Sequence, residues 1–189
     1  MNQDLRIALM GTAGVGKSTT ARMLHEHTGI ELHSELESRL IKNLIRKGII
    51  KDKYGFSPEQ SKQFQNKSLS IRERLASRNS FISDRTAGEL WVYHQIYCGP
   101  HSTQEELDKF KERCYHVMKR YTHLFLFPFG IIPLVDNNYR NTNAEYQHRV
   151  RGLIEKMLSE FKLRYIRLEE KAKTKEERFQ EVLSWIQKA

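Results

Sequence analysis

Residues Leu5 to Thr20 read LRIALMGTAGVGKSTT, and this stretch decides the fold. Leu5, Ile7, Ala8, Leu9 and Met10 make a short apolar run of the kind a buried strand needs. The run passes directly into Gly11, Gly14, Gly16, Lys17 and Ser18, the pattern G-x-x-x-x-G-K-S. A strand before this pattern and a helix after it form the setting in which it grips a nucleoside triphosphate. Backbone N–H groups of Gly11 to Ser18 are expected to line a nest around the β-phosphate, with glycine wherever a side chain would block the approach. The helix amino terminus beneath adds its dipole and its unpaired N–H groups. The candidate nucleotide-binding set is therefore Gly11, Thr12, Ala13, Gly14, Val15, Gly16, Lys17, Ser18 and Thr19. Lys17 is expected to reach the β- and γ-phosphates, and Ser18 to offer an oxygen to magnesium. The cofactors implied are ATP and Mg2+. The loop alone leaves open what receives the phosphoryl group.

Outward from this stretch, strands and helices alternate. Lys17 to His27 reads as the first helix, stopped by Gly29. Ile30 to Leu32 reads as a second strand. Ser34 to Arg46 carries Leu36, Leu40, Ile41, Leu44 and Ile45 at helical spacing. Ser57-Pro58 reads as an N-cap followed by proline at the first helical position, opening a helix to about Ser77. Phe81 and Ile82 read as a third strand, followed by a helix from Thr86 to Tyr97. Ser102 or Thr103 caps the next helix. Thr122 to Phe127 and Arg164 to Leu168 read as the fourth and fifth strands. Between them, a long helix starts at Thr142 or Asn143, and Thr174 with Glu177 forms a capping box for the last one. This alternation predicts one domain over 1–189, with a parallel sheet covered by helices on both faces. Right-handed crossovers bring the carboxyl ends of all strands to one edge, where the functional residues should collect.

Composition narrows the class. The 189 residues are 39% hydrophobic, enough for one core. No apolar run approaches the roughly 18 residues of a spanning helix, and the first strand leaves no room for a signal peptide, so a cytoplasmic protein without a membrane partner is expected. Cys98 and Cys114 have no metal-binding spacing and read as reduced structural thiols. The net charge of +9 fits a polyanionic substrate, which ATP, DNA and RNA all satisfy. The oligomeric state is left open, a dimer included.

Asp84 is the second carboxylate of interest, because Phe81-Ile82-Ser83-Asp84-Arg85-Thr86 delivers it at a strand's carboxyl end. It could hold magnesium or accept the proton of a substrate hydroxyl. Arg85 beside it suits a phosphate or a substrate carboxylate. An N-cap aspartate with an exposed arginine is the plain structural reading. No strand ends in an Asp-Glu pair of the kind that activates water, which favours transfer to a hydroxyl.

After the fourth strand come Asp136, Arg140, Arg149 and Arg151. An arginine in a lid over 129–151 would stabilise charge on the transferring phosphoryl and exclude water. Ordinary surface charge is the alternative. On the acceptor side, the helical region 34–79 and the residues Glu31, Glu35 and Arg39 are candidates, with an exposed Glu35–Arg39 helix pair as the plain reading. Trp91, Tyr93 and Tyr97 line an acceptor pocket or belong to the core.

The segments GTAGVGKST at 11–19, SDRT at 83–86 and 136–151 resemble the P-loop nucleoside and nucleotide kinase superfamily, and more narrowly its AAA_28-type, NadR-like members. The resemblance implies a three-layer α/β/α sandwich with a five-stranded parallel sheet in the order 2-3-1-4-5. It also implies ATP-dependent phosphoryl transfer. In related deoxynucleoside and thymidylate kinases an acidic residue followed by arginine positions the acceptor hydroxyl, and Asp84 and Arg85 match that pair. Arg140 and Arg149 correspond to lid arginines. The superfamily also includes bacteriophage kinases that phosphorylate 5-hydroxymethyluracil within DNA. The basic residues of 34–79 read either as a DNA-facing insert or as a solvated face. Three readings follow: a nucleoside or nucleotide kinase, a kinase acting on a modified base in DNA, and an ATPase or nucleotide-gated binding module.

Overall fold

The computed structural model describes residues 4–52, 55–131 and 143–188. Five strands, β1 (Arg6–Met10), β2 (Leu32–His33), β3 (Phe81–Asp84), β4 (His123–Leu126) and β5 (Ile166–Arg167), pair in parallel in the order β2-β3-β1-β4-β5. Among the described residues, seven α-helices surround them: α1 (Lys17–Thr28), α2 (Leu36–Arg46), α3 (Pro58–Leu75), α4 (Ala87–Tyr97), α5 (Gln104–Met118), α6 (Ala144–Phe161) and α7 (Lys175–Gln187). The predicted sheet, strand order and layers are all present.

Side chains along β1 alternate between the two faces of the sheet, as a period of two requires. Ala8 and Met10 enter a core with Phe81, Leu124 and Leu126, covered by α3, α4, α5 and α6. Ile7 and Leu9 enter the opposite core with Ile82, Phe125 and Leu168, covered by α1 and α7. The near-continuous apolar character of the central strands reflects burial on both faces. None of the described helices is long and apolar enough to cross a membrane.

Capping chemistry sets the helix starts. Capping boxes at Ser57/Gln60, Thr86/Glu89, Thr103/Glu106 and Thr174/Glu177 begin α3, α4, α5 and α7, and Asn143 caps α6. Of the two cap candidates for α5, Thr103 is the one used.

Two expectations shift. The second strand is Leu32–His33 rather than Ile30–Leu32, because Ile30 is tied to the end of α1. Its N–H donates to Thr28 Oγ1, and its carbonyl meets His25 Nδ1 at 2.7 Å. Helix α2 begins at Leu36, with Glu35 at φ 54 as its N-cap, and none of its residues is fully buried. Its apolar stripe stays out of both cores and leaves Ile45 39% exposed. Ile41 of that stripe lines a cavity instead.

Candidate active site

The phosphate loop joins β1 to α1. Gly11 has φ 147, and a Cβ there would stand 3.2 Å from the Phe127 carbonyl oxygen, so the turn out of β1 requires glycine. Gly16 at φ 94 is the N-cap of α1 and leaves the first N–H groups of the helix uncovered by any side chain. Lys17 is buried, and its Nζ donates to the carbonyls of Gly11 and Thr12, both at 2.7 Å. Those bonds bring the ammonium group back across the loop. Ser18, in the first turn of α1, is exposed.

The carboxyl end of β3 lies next to that of β1, with Asp84 opposite Leu9. Asp84 is 5% exposed, and its Oδ1 has no hydrogen-bond partner among the described residues. A buried carboxylate oxygen without a donor fits a cation as its missing partner. Arg85 follows at φ 88, an uncommon conformation for a side chain of its size. Three bonds hold it there. Its N–H donates to Leu9 O at 3.1 Å, and its carbonyl accepts from Ser83 Oγ at 2.7 Å and Arg72 Nη1 at 3.0 Å. The turned backbone sends its guanidinium to the Tyr93 hydroxyl, 3.3 Å away. Burial works against the Arg85 charge, but Tyr93, Glu89 and Glu37 outweigh it and keep the group protonated.

Three further residues complete the charge arrangement. Glu89 caps α4 through Oε2, which accepts from Thr86 N at 3.0 Å. Its Oε1 lies 3.8 Å from both Lys17 Nζ and Arg85 Nη1. Burial raises the Glu89 carboxyl above its usual range, against the pull of Lys17, Arg85 and Arg72. Arg72 of α3 is 3% exposed and donates through Nε and Nη2 to Glu37 Oε1, at 3.1 and 2.7 Å. Glu37 is lowered: burial opposes ionisation, but Arg72 and Arg85 prevail and hold it as a carboxylate.

A cavity of about 420 Å³ opens beside Ala13 of the phosphate loop. Glu37, Arg72, Arg85 and Glu89 line it, together with Ile41, Phe56, Phe64, Leu90, Tyr93, Tyr97 and Tyr146. Gln65 also lines it, and its buried Oε1 has no hydrogen-bond partner among the described residues. An apolar chamber with a few convergent polar groups is the usual form of a small-molecule site.

The structure separates the sequence candidates. Tyr93 and Tyr97 line the cavity, whereas Trp91 is in the core. Glu31 pairs with Arg78 and sits 3.3 Å from His33 at the sheet edge. Glu35 and Arg39 are exposed and do not line the cavity, and no ion pair joins them among the described residues. Helix α2 starts at Leu36, after the αL residue Glu35, and Glu37 is the acid of this stretch that lines the cavity. Asp136 and Arg140 lie outside the described residues. Arg149 is exposed on α6 and lines neither this cavity nor the crevice beside it. Arg151 does line that crevice, with Gly11, Thr12 and Phe127. It lies 5.7 Å over the Phe129 ring and 3.3 Å from Glu155, which Arg167 also approaches at 3.6 Å.

Glu37, Arg72, Glu89 and Gln65 were not singled out from the sequence. For Glu89 a signal existed, since Thr86-x-x-Glu89 is a capping box. The other three meet only through contacts between α2, α3 and β3.

The profile of the AAA_28 family, described as an AAA domain, matches residues 6–178. The chain belongs to the AAA_28 family. No curated protein sequence matches this member of it. Its fold is that of solved P-loop kinases. A deoxyadenosine kinase from M. mycoides, solved with dCMP and dCDP, is 13% identical with a TM-score of 0.65, over 97% of this chain and 99% of that one. A NadR protein in complex with NAD and AMP-PNP is 15% identical with a TM-score of 0.67, over 98% of this chain. The AAA_28 chain spans about half of NadR, 49% of its length. A shikimate kinase from Aquifex aeolicus is 18% identical with a TM-score of 0.55, over 97% and 96% of the two chains.

Proposed function

We propose that this AAA_28 protein is an ATP- and Mg2+-dependent kinase that phosphorylates a hydroxyl group of a free nucleoside or nucleotide. The observation that carries this reading is the cavity of about 420 Å³ running from Ala13 of the phosphate loop to the Tyr93 and Tyr97 rings. Its size and aromatic walls suit a nucleoside, and Glu89 in its lining stands 3.8 Å from the loop lysine, Lys17.

The residues fit the implied cofactors. Loop residues Gly11 to Thr19 would hold the polyphosphate, with Lys17 leaving its carbonyl partners for phosphate oxygens. Ser18 and the unpartnered Oδ1 of Asp84 would hold magnesium, whose chemistry is to neutralise charge between the phosphates. Asp84 does not line the acceptor cavity and Glu37 does, so Asp84 takes the metal side and Glu37 the acceptor side. Glu37, kept ionised by Arg72, accepts a hydrogen bond from the acceptor hydroxyl and orients its oxygen toward the phosphate loop. As the new oxygen–phosphorus bond forms and the bond to the departing ADP breaks, the hydroxyl proton passes toward Glu37. Arg85 and Lys17 face the charge spread over the transferring group. Arg151 and Arg167 line the crevice at Gly11 and Thr12, from which either could approach the loop.

The test is transfer from γ-labelled ATP, offered to a panel of nucleosides and nucleotides and to DNA with and without 5-hydroxymethyluracil. Label on one free nucleoside or nucleotide supports the proposal. Label in DNA, with strong salt dependence of binding, would replace it with the modified-base reading. Label in free phosphate alone would make the protein an ATPase or a nucleotide-gated module.

A further inference from the structure

Arg178, in the first turn of α7, is 5% exposed and lies behind the phosphate loop. A Cβ added to Gly16 would stand 3.0 Å from Arg178 Nε, 3.3 Å from Nη2 and 3.4 Å from Cζ. The guanidinium therefore packs flat on the bare α-carbon of Gly16, a second reason for glycine at that position. Its Nη1 donates to the carbonyls of Ala172 (3.0 Å) and Lys173 (2.7 Å) in the segment between β5 and α7. Its buried Nε has no hydrogen-bond partner among the described residues.

Two buried arginines stand in the described structure, and they differ in one respect. Arg72 has Glu37 at 2.7 Å. Arg178 has no carboxylate within ion-pair distance among the described residues, and its neighbours Glu176 and Glu177 are exposed. Burial lowers the Arg178 pKa, with Glu177 and Glu176 opposing the fall only at a distance. A desolvated cation without a counter-charge is costly, and such groups are retained where something else supplies the charge. Arg178 faces the amino terminus of α1 on the side opposite the acceptor cavity, so the positive end of that helix and this guanidinium converge on one loop.

We propose that Arg178 is a donor-side positioning residue whose charge, without a carboxylate at ion-pair distance among the described residues, supports the polyphosphate from behind Gly16. The bound nucleotide is its missing counter-charge. This rests on the proposed reading of the loop as the ATP site, and it adds a residue that the G-x-x-x-x-G-K-S pattern does not contain. The consequence is a trade between stability and grip: removing the charge relieves the unliganded protein and weakens the ligand.

The experiment measures the affinity of the full chain for ADP and for inorganic triphosphate, with the melting temperature of the unliganded protein, for wild type, Arg178→Met and Arg178→Lys. Arg178→Met is expected to weaken both ligands at least tenfold while the unliganded melting temperature holds or rises. Arg178→Lys, which keeps the charge, is expected to stay within about threefold of wild type. A merely structural arginine would instead lower the melting temperature in Arg178→Met. That result, unchanged ADP affinity in Arg178→Met, or equal losses in the Met and Lys variants would each overturn the proposal. Wild-type protein that binds neither ligand would overturn the ATP-site reading itself, a different failure from a variant that binds normally.

Discussion

Lys17 Nζ lies 3.8 Å from Glu89 Oε1, with both side chains almost fully buried. The pair joins the phosphate loop to the first turn of α4, and the same carboxylate oxygen is 3.8 Å from Arg85 Nη1. One acid thus stands between the loop lysine and the arginine that follows β3. Removing it leaves two cations facing each other at low dielectric. Glu89→Gln keeps an oxygen for the Thr86 N–H but loses the charge, and is expected to destabilise the fold by about 2 kcal/mol. Thr86→Ala, which loses only the cap, is expected to cost about 1 kcal/mol. Urea unfolding of the two variants checks the order, and a larger loss in Thr86→Ala would count against the electrostatic role of Glu89.

Lys17→Ala is expected to weaken ATP binding and reduce phosphoryl transfer by at least about 100-fold, since the loop loses the one side chain that can follow the transferring group. Equilibrium nucleotide binding and single-turnover transfer measure the two effects separately.

Asp84→Asn and Glu37→Gln are expected to differ in kind. The Asp84 variant should need more magnesium and regain activity in part with manganese, because its loss is on the metal side. The Glu37 variant should bind Mg-ATP normally and lose transfer by about 100-fold, the range of a general base. A metal titration of the transfer rate for each variant separates them, and identical titration curves would contradict the division of roles.

Filling the cavity should affect the acceptor alone. Ser61 of α3 lines it, and Ser61→Phe is expected to raise the acceptor KM about tenfold or more while ATP affinity stays unchanged. Steady-state kinetics with each substrate varied in turn is the check.

His94 predicts an acid limb of stability. It is 3% exposed, stacked on Phe110 with ring centroids 3.8 Å apart, and both ring nitrogens lack a hydrogen-bond partner among the described residues. Burial, assisted by Lys62, lowers its pKa from 6.5 to about 4. Between those values the unfolded chain binds the proton and the folded one does not, so stability falls as pH drops from 6.5 toward 4. The loss is of order 3 kcal/mol. His94→Phe should flatten this limb in denaturation curves recorded across the same pH range.

Local signals carried most of the architecture. Apolar runs, Gly29 at the end of α1, Pro58 and the cap residues Ser57, Thr103 and Thr174 act over a few residues, so they are readable in order along the chain. Helix α2 shows the limit. Its stripe from Leu36 to Ile45 has the spacing of a core helix, yet periodicity cannot say whether a face meets a core or a cavity. Ile41 meets the cavity. The acidic residues around the start of α2 show the same limit: Glu35 and Glu37 are alike in type, and only the folded chain shows that Glu37 lines the cavity while Glu35, the αL residue before the helix, does not.

By itself, the sequence determined the G-x-x-x-x-G-K-S loop between β1 and α1, because its glycines, Lys17 and Ser18 are close neighbours along the chain. It determined Asp84 and Arg85 as a pair at a strand end for the same reason of adjacency. Tertiary structure alone decided that Arg72 holds Glu37 across 35 residues, that Arg151 rather than Arg149 faces the loop, and that Arg178 backs Gly16. These contacts join side chains from separate helices. Their geometry follows from how the helices pack on the sheet, a property that no local stretch of the chain encodes.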